Sequence, residues 1–219
     1  MKSLSTKVTQ ARKVRGRPRS FDRDSALERA MQLFWRQGYE ATSLHDLTAA
    51  MGINPPSLYA AFGDKEHLFL EAVERYSCGP GGGTSRILKE EPTAHGAIAR
   101  LLKEAAVEMT RSCHPPGCMM VKSAANCSAV SARTQTALAN RRTVLQAEIK
   151  ARIERGIQDG ELARGTNAGM LANFYVTVIQ GMSIQSIDGA TRKSLLATGA
   201  AAMRAWPTKN ESSQRGPDS

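Results

Sequence analysis

Two groups of side chains in this 219-residue sequence could do chemistry. The first is cationic. Arg15-Gly16-Arg17-Pro18-Arg19 strings three guanidinium groups along a segment with no apolar period. In isolation such a strip reads as a solvated tail, and beside a DNA-reading element it would suit the narrow minor groove of A·T-rich DNA, where negative potential is concentrated. The second group is soft: Met109, Cys113, His114, Cys118, Met119, Met120 and Cys127 gather thioethers, thiols and an imidazole in one stretch. Met and free Cys commonly fill gaps in a core, and that reading stands beside a sharper one. Cys118 directly follows Gly117 near an expected helix start, where the helix dipole lowers a thiol pKa and favours oxidation, alkylation or soft-metal binding. Cys113 and Cys118 are therefore the candidate sensor residues. None of the four cysteines, at 78, 113, 118 and 127, has the C-x-x-C spacing of a zinc site, and without a secretion signal all are expected as reduced thiols. No metal site and no cofactor is expected. His45, His67, His95 and His114 are scattered, and the sequence has no Ser/His/Asp order, no phosphate-binding Gly loop and no H-E-x-x-H. The expectation is a protein that is not an enzyme.

Charge is distributed unevenly. Residues 1–21 carry seven Lys or Arg and no acid, residues 22–76 carry five basic and nine acidic residues, and the remainder is basic again, for a net charge of +10. Attraction to a polyanion must then come largely from the N-terminal arm and a few placed cations. No apolar run approaches the roughly 18 residues of a membrane span, so no membrane partner is expected and a cytoplasmic location follows. Aromatic residues are few, Ala, Leu and Met are common and helical periodicity recurs, which predicts an all-α chain.

The elements that would position these groups centre on residues 42–69. Ser43 can cap a helix with Asp46 closing a capping box, and Leu44, Leu47 and Met51 fall on one face. Gly52 ends that helix, Asn54 can cap the next, and Pro55 takes the first helical position, where its missing N–H costs nothing. The Gly52-Ile53-Asn54 turn has the length of a helix-turn-helix connection. Asp64 then caps a third helix bearing Leu68, Phe69, Ala72, Val73 and Tyr76. An earlier helix, capped by Asp22 or Asp24 and ended by Gly38, carries the apolar stripe Ala26, Leu27, Ala30, Met31, Phe34 and Trp35.

The run from Gly52 to Glu66, with the preceding Leu33-Phe34-Trp35-Arg36-Gln37-Gly38-Tyr39-Glu40-Ala41-Thr42-Ser43, resembles the DNA-reading segment of the tetracycline-repressor (TetR/AcrR) family of bacterial transcription regulators. The motif covers about a quarter of the chain, and the order of its elements makes the match specific. The resemblance implies that Thr42 and Ser43, at the start of the second helix, meet the DNA backbone, Thr42 through its hydroxyl and its neighbouring backbone N–H groups. It also implies that the Tyr59 hydroxyl reaches a phosphate and that Lys65 makes a charged contact to the same strand. Pro55, Pro56, Ser57 and Ala60 face out from the recognition helix and offer apolar contact to thymine methyls and one hydroxyl. Family members often carry a polar residue where Ala60 and Ala61 stand, which shifts part of the specificity here to the arm. Arg15, Arg17 and Arg19 resemble an AT-hook core, and before a helix-turn-helix they read as a minor-groove arm like that of homeodomains.

Beyond this headpiece, Cys78-Gly79-Pro80-Gly81-Gly82-Gly83 breaks the helical pattern. The expected organisation is a basic, disordered arm (1–20), a helix-turn-helix domain (21–77), a loop or linker (78–94), a helical ligand-binding and dimerisation body (95–206) and a disordered tail (207–219). Helices are predicted over about 95–112, 118–127, 131–156, 167–187 and 191–206. The fourth of these is apolar almost all round and so needs two partners. The last two resemble the family's dimer interface, a four-helix bundle about a two-fold axis, which assigns Phe174, Val178, Met182, Leu195 and Ala202 to that interface. A dimer can place two recognition helices in successive major grooves only if they lie about 34–36 Å apart, so the double-stranded DNA target should be palindromic. The chain is then expected to be a homodimeric regulator, a repressor released by a small apolar or electrophilic inducer held in a mostly apolar pocket among residues 95–182. Two rivals from other classes are a thiol enzyme using Cys118 as nucleophile and an architectural minor-groove protein relying on the arm alone.

Overall fold

The computed structural model describes residues 21–125 and 132–207. The arm with Arg15, Arg17 and Arg19, residue Cys127 and the tail lie outside the described residues. Within them the chain is all-α: α1 (Arg23–Gln37), α2 (Leu44–Met51), α3 (Pro55–Phe62), α4 (Lys65–Cys78), α5 (Gly83–Glu90), α6 (Ala94–Met109), α7 (Met119–Ala125), α8 (Ala132–Gln158), α9 (Ala168–Ile187) and α10 (Arg192–Met203). None of the described helices is long and apolar enough to cross a membrane.

Local chemistry sets the first four helices. Asp22 caps α1 by accepting from the Asp24 backbone N–H, and Ser43 and Asp46 form a reciprocal capping box on α2. Gly52 ends α2 at φ +69°, a left-handed conformation that a Cβ would penalise. Asn54 caps α3 with Pro55 at its first position, and Asp64 caps α4 through the His67 N–H. These short helices are held by a shared core of Ala30, Met31, Phe34, Trp35, Leu47, Leu58, Leu68 and Phe69. Phe34 meets Phe69 edge-on at 5.0 Å and Trp35 meets Tyr76 edge-on at 4.8 Å. Leu44, expected on the apolar face of α2, is instead exposed, because it lies in the first turn at the outer end of a two-turn helix.

The structure departs from the sequence reading at α5. A loop or linker was expected over 78–94, yet α4 runs on to Cys78, the glycines make a tight turn, and Gly83–Glu90 is helical with Ile87 and Leu88 buried in the second core. Two apolar residues in eight, behind a glycine run, give almost no periodic signal.

That second core lies between α5, α6, α8, α9 and α10 and is filled by Ile98, Leu102, Ile149, Ile153, Tyr175, Val176 and Leu195. It corrects the interface assignment. Met182, Leu195 and Ala202 are buried in their own chain, at 1%, 0% and 8% exposure. Phe174 is exposed and Val178 half-buried. The open face of α9 is instead Met170, Phe174, Thr177, Gly181 and Ile184, one side of the helix at alternating steps of four and three.

The two cores meet directly. Met119, Met120 and Leu138 from α7 and α8 are buried in the headpiece core, and the His114 ring stacks on Trp35 at 4.3 Å. Gly117 is required beside this junction: its φ is +79°, and a Cβ would lie 2.7 Å from Ile187 Cγ1 and 2.9 Å from the Ser183 carbonyl oxygen.

Tyr175 is a weak point in the second core. Its ring is fully buried, its hydroxyl has no hydrogen-bond partner, and desolvation pushes its pKa up to about 12. An acid held neutral by burial leaves stability intact below its unfolded pKa of about 10 and removes it progressively as the pH climbs from there towards 12. Tyr175→Phe is expected to raise stability at pH 7 by about 1 kcal/mol, since it removes an unpaired buried hydroxyl. It should also flatten the loss between pH 10 and 12. Urea melts of both proteins across that range are the measurement, and an unchanged alkaline loss would assign it elsewhere.

Candidate nucleic-acid interface and body cavity

The helix-turn-helix presents α3 outward. Leu58 and Phe62 are buried beneath it, while Pro55, Pro56, Tyr59 and Ala60 are exposed and Ser57 is half-buried, with its N–H donating to Asn54 Oδ1 at 2.9 Å. Tyr59 is 51% exposed, an aromatic side chain with its hydroxyl free to leave the protein surface. Lys65 opens α4, its ammonium 4.4 Å from the centre of the Tyr39 ring. Burial lowers the Lys65 pKa, and the Glu40 carboxylate opposes that shift.

Two expected backbone contacts are revised by the geometry. Thr42 is completely buried, and its hydroxyl donates to the Gly38 carbonyl at 2.6 Å. It locks the α1–α2 turn, and the phosphate role expected for its hydroxyl is withdrawn. The Ser43 hydroxyl donates to Asp46 Oδ2 at 2.6 Å and accepts from the Asp46 N–H at 3.0 Å. What α2 offers a phosphate is the pair of first-turn N–H groups of Leu44 and His45.

Most headpiece cations are committed inside. Arg23 pairs with Glu71 at 2.7 Å, packs over Phe62 and donates to the Ala61 carbonyl. Arg75 pairs with Glu28 at 2.7 Å, and Arg29 donates to the Met51 carbonyl. Arg36 is exposed and Lys65 half-buried, and neither forms an ion pair among the described residues.

In the body, a cavity of about 520 Å³ opens between the Gly79–Gly83 turn, α5, α6 and α8. An apolar pocket within 95–182 was expected. The cavity draws one wall from residues 76–87 and mixes apolar groups with Glu104, Glu108, Arg111, Arg142 and Glu148. The glycine run hid this wall in the sequence, because glycines carry no side-chain signal and serve here by letting backbone line a hollow. Cys118 is half-buried on the cavity wall, and its N–H donates to Ser183 Oγ at 2.8 Å. Burial first, and then the Cys118 thiol, raise the Tyr76 hydroxyl pKa well above the usual range. Cys113 is an exposed free thiol. Met109, Met119 and Met120 are core residues. Among the described residues no three His, Cys, Asp or Glu side chains converge as a metal site.

The sequence pattern described as "Bacterial regulatory proteins, tetR family" matches residues 26–72, and that of "Tetracyclin repressor-like, C-terminal domain" matches 97–198. The HTH-type transcriptional repressor ComR of Escherichia coli (strain K12) is 35% identical over 206 residues, covering 93% of this chain and 98% of that protein. The chain belongs to the TetR family of bacterial transcriptional regulators. BdcR, another HTH-type transcriptional repressor of the same strain, is 30% identical over 198 residues, covering 90% of this chain and 94% of its own. A solved structure of a cysteine mutant of the TetR family regulator CifR, complexed with 26-bp double-strand operator DNA, is 45% identical, covers 87% of this chain and 100% of that one, and superposes with a TM-score of 0.85. Membership makes α2–α3 the helix-turn-helix of a DNA-binding transcription regulator and places most of α6–α10 in its C-terminal domain.

Within this TetR-family frame His114, which the sequence offered only as one of a group of soft ligands, holds a bridging position. Its ring is 4% exposed, with Nε2 3.0 Å from Glu108 and Nδ1 2.9 Å from the Pro115 carbonyl oxygen. Glu108 lines the cavity and Trp35 belongs to the headpiece core, so one imidazole touches both. No spacing rule marks such a histidine, because its partners come from three separate elements.

Proposed function

We propose that this TetR-family protein is a cytoplasmic repressor that binds a palindromic operator as a homodimer and is released when a small molecule occupies the body cavity. In this reading Pro55, Pro56, Ser57, Tyr59 and Ala60 enter the major groove. Lys65 and the α2 N–H groups hold phosphates, and Arg15, Arg17 and Arg19 reach the minor groove. The observation that carries it is the exposed apolar and phenolic face of α3 on a rigid, capped helix-turn-helix. The repressor names of ComR and BdcR and the operator-bound form of CifR support it. Induction requires the ligand to prefer the body conformation that sets the headpieces at the wrong spacing. The α4–α5 turn, which lines the cavity directly after α4, is where such a change reaches the headpiece.

An operator recovered by incubating purified protein with genomic fragments allows the test. Tyr59→Ala and Lys65→Ala should each weaken binding roughly tenfold with an unchanged melting temperature, Lys65→Ala uniformly across sequences and with a salt slope lower by about 1. Deleting residues 1–20 should lower the slope by several units, since about 0.9 is lost per phosphate contact. Unchanged affinity in both point variants would remove α3 and α4 from the interface, and an unchanged slope would remove the arm.

A second reading keeps the fold and changes the signal: Cys118 acts as a thiol sensor. Its place on the cavity wall beside Tyr76 favours this over Cys113. Cys118→Ser should then abolish release of DNA by peroxide or copper, and a variant that still releases refutes it.

A further inference from the structure

The charged groups around the body cavity are satisfied with one exception. Among the acids, Glu148 accepts from Ser85 Oγ at 2.5 Å, Glu108 accepts from Arg111 Nε and faces His114, and Glu104 stands exposed at the rim. Among the cations, Arg111 pairs with Glu108, Arg141 with Glu74, and Arg86 lies 4.0 Å from Glu90. Arg142 on α8 differs. It lines the cavity, its residue is half-buried, and its Nη1 is buried without a hydrogen-bond partner or an ion pair among the described residues. A buried guanidinium donor is costly to leave unpaired, and its planar fork fits a carboxylate edge-on. The cavity also has an apolar part to its wall, from Ile87, Leu101, Ala105, Met109, Leu145 and Ile179.

We propose that the cavity takes an amphipathic monocarboxylate whose anionic head is bound by Arg142 and whose hydrocarbon lies against this apolar wall. The inference rests on the cavity being the regulator's ligand site and names the chemical class that site selects. The 520 Å³ hollow falls within the range of small-molecule sites and is large enough for a medium-length acyl chain. The anchor is also placed to signal. Arg141, the preceding residue on α8, ties that helix to α4 through Glu74, so a headgroup that draws in Arg142 acts on the helix leading to the headpiece.

Calorimetric titration of the full-length protein with octanoate, octan-1-ol and octylammonium tests this, because the three share a chain and differ in the head. Octanoate should bind on the order of ten- to a hundredfold more tightly than the alcohol, the size of a charge-assisted hydrogen bond, with octylammonium weakest. Arg142→Gln should erase that advantage and leave octan-1-ol binding unchanged. Octanoate binding no tighter than octan-1-ol in the native protein overturns the carboxylate anchor and leaves the cavity as a ligand site. Binding of none of the three overturns both. A variant that loses acid and alcohol binding equally assigns Arg142 a structural role and also overturns the anchor, while the native comparison decides the matter without any variant.

Discussion

Phe174→Glu is expected to convert the proposed dimer into a monomer and to weaken operator binding by at least about a hundredfold, the scale of losing a central interface residue. Phe174 is 39% exposed on the face of α9 turned away from the body core, between Met170 at 64% and Ile184 at 42%. Thr177 and Gly181 fill the same side, and α10 adds the exposed Ala197 and Ala200 next to it. Such a face joins best to its own copy, and in a two-fold interface every substitution appears twice near the axis. Two glutamates would then replace two aromatic rings and meet as like charges. In the proposed dimer the operator is read by two headpieces at fixed spacing, so loss of the dimer would remove half of the contacts at once. Phe174 lies outside the buried core and meets it only through an edge-on contact with Tyr175 at 5.0 Å, so the melting temperature of the separated chain should change little. Sedimentation equilibrium and a gel-shift titration on one preparation are the measurements. A variant that stays dimeric would move the interface off this face of α9.

The sequence also assigned Phe174 to the interface, but together with Met182, Leu195 and Ala202, which the fold buries within one chain, for a physical reason. α9 was readable as a helix with two apolar faces, because Met170, Leu171, Phe174, Tyr175, Val178, Ile179 and Met182 leave it little polar surface. Which face turns inward was not readable, since that depends on where α6, α8 and α10 dock, and Met182, Leu195 and Ala202 proved to be the inner set. The headpiece behaved differently. Its caps, its Gly52 turn and its buried Leu47, Leu58 and Leu68 are local features, each set by residues three or four apart, and they were legible one by one. Thr42 marks the limit of that legibility. Its place at the start of α2 suggested a surface hydroxyl, but Gly38 leaves its carbonyl free at the end of α1, and the threonine turns inward to satisfy it. Arg142 carries no sequence signal, because what distinguishes it is the lack of a partner, and the sequence grouped His114 with soft ligands because its stacking on Trp35, far along the chain, leaves no local pattern.

His114→Ala should produce the second large effect, a loss of about 2–4 kcal/mol with the two cores melting apart, since it combines a cavity with broken buried hydrogen bonds. The ring is nearly enclosed, lies flat on Trp35 at 4.3 Å and faces acceptors at both nitrogens, Glu108 on one side and the Pro115 carbonyl on the other. Removing it strips Trp35 of a stacking partner, leaves Glu108 with Arg111 alone, and loosens the loop that carries Gly117 and Cys118. The two tryptophans allow the cores to be followed separately, Trp35 in the headpiece and Trp206 against the body core. With Trp206→Phe as background, Trp35 fluorescence should report unfolding at a lower urea concentration than far-ultraviolet circular dichroism in His114→Ala, and at the same concentration when His114 is present. Coincident curves in both proteins would show that the contact between α1 and the 110–118 loop is stabilising without being the joint between the two cores. A joint there would give the proposed ligand control a route to α1 beside the one through α4, because His114 packs against both Glu108 on the cavity wall and Trp35 in the headpiece core.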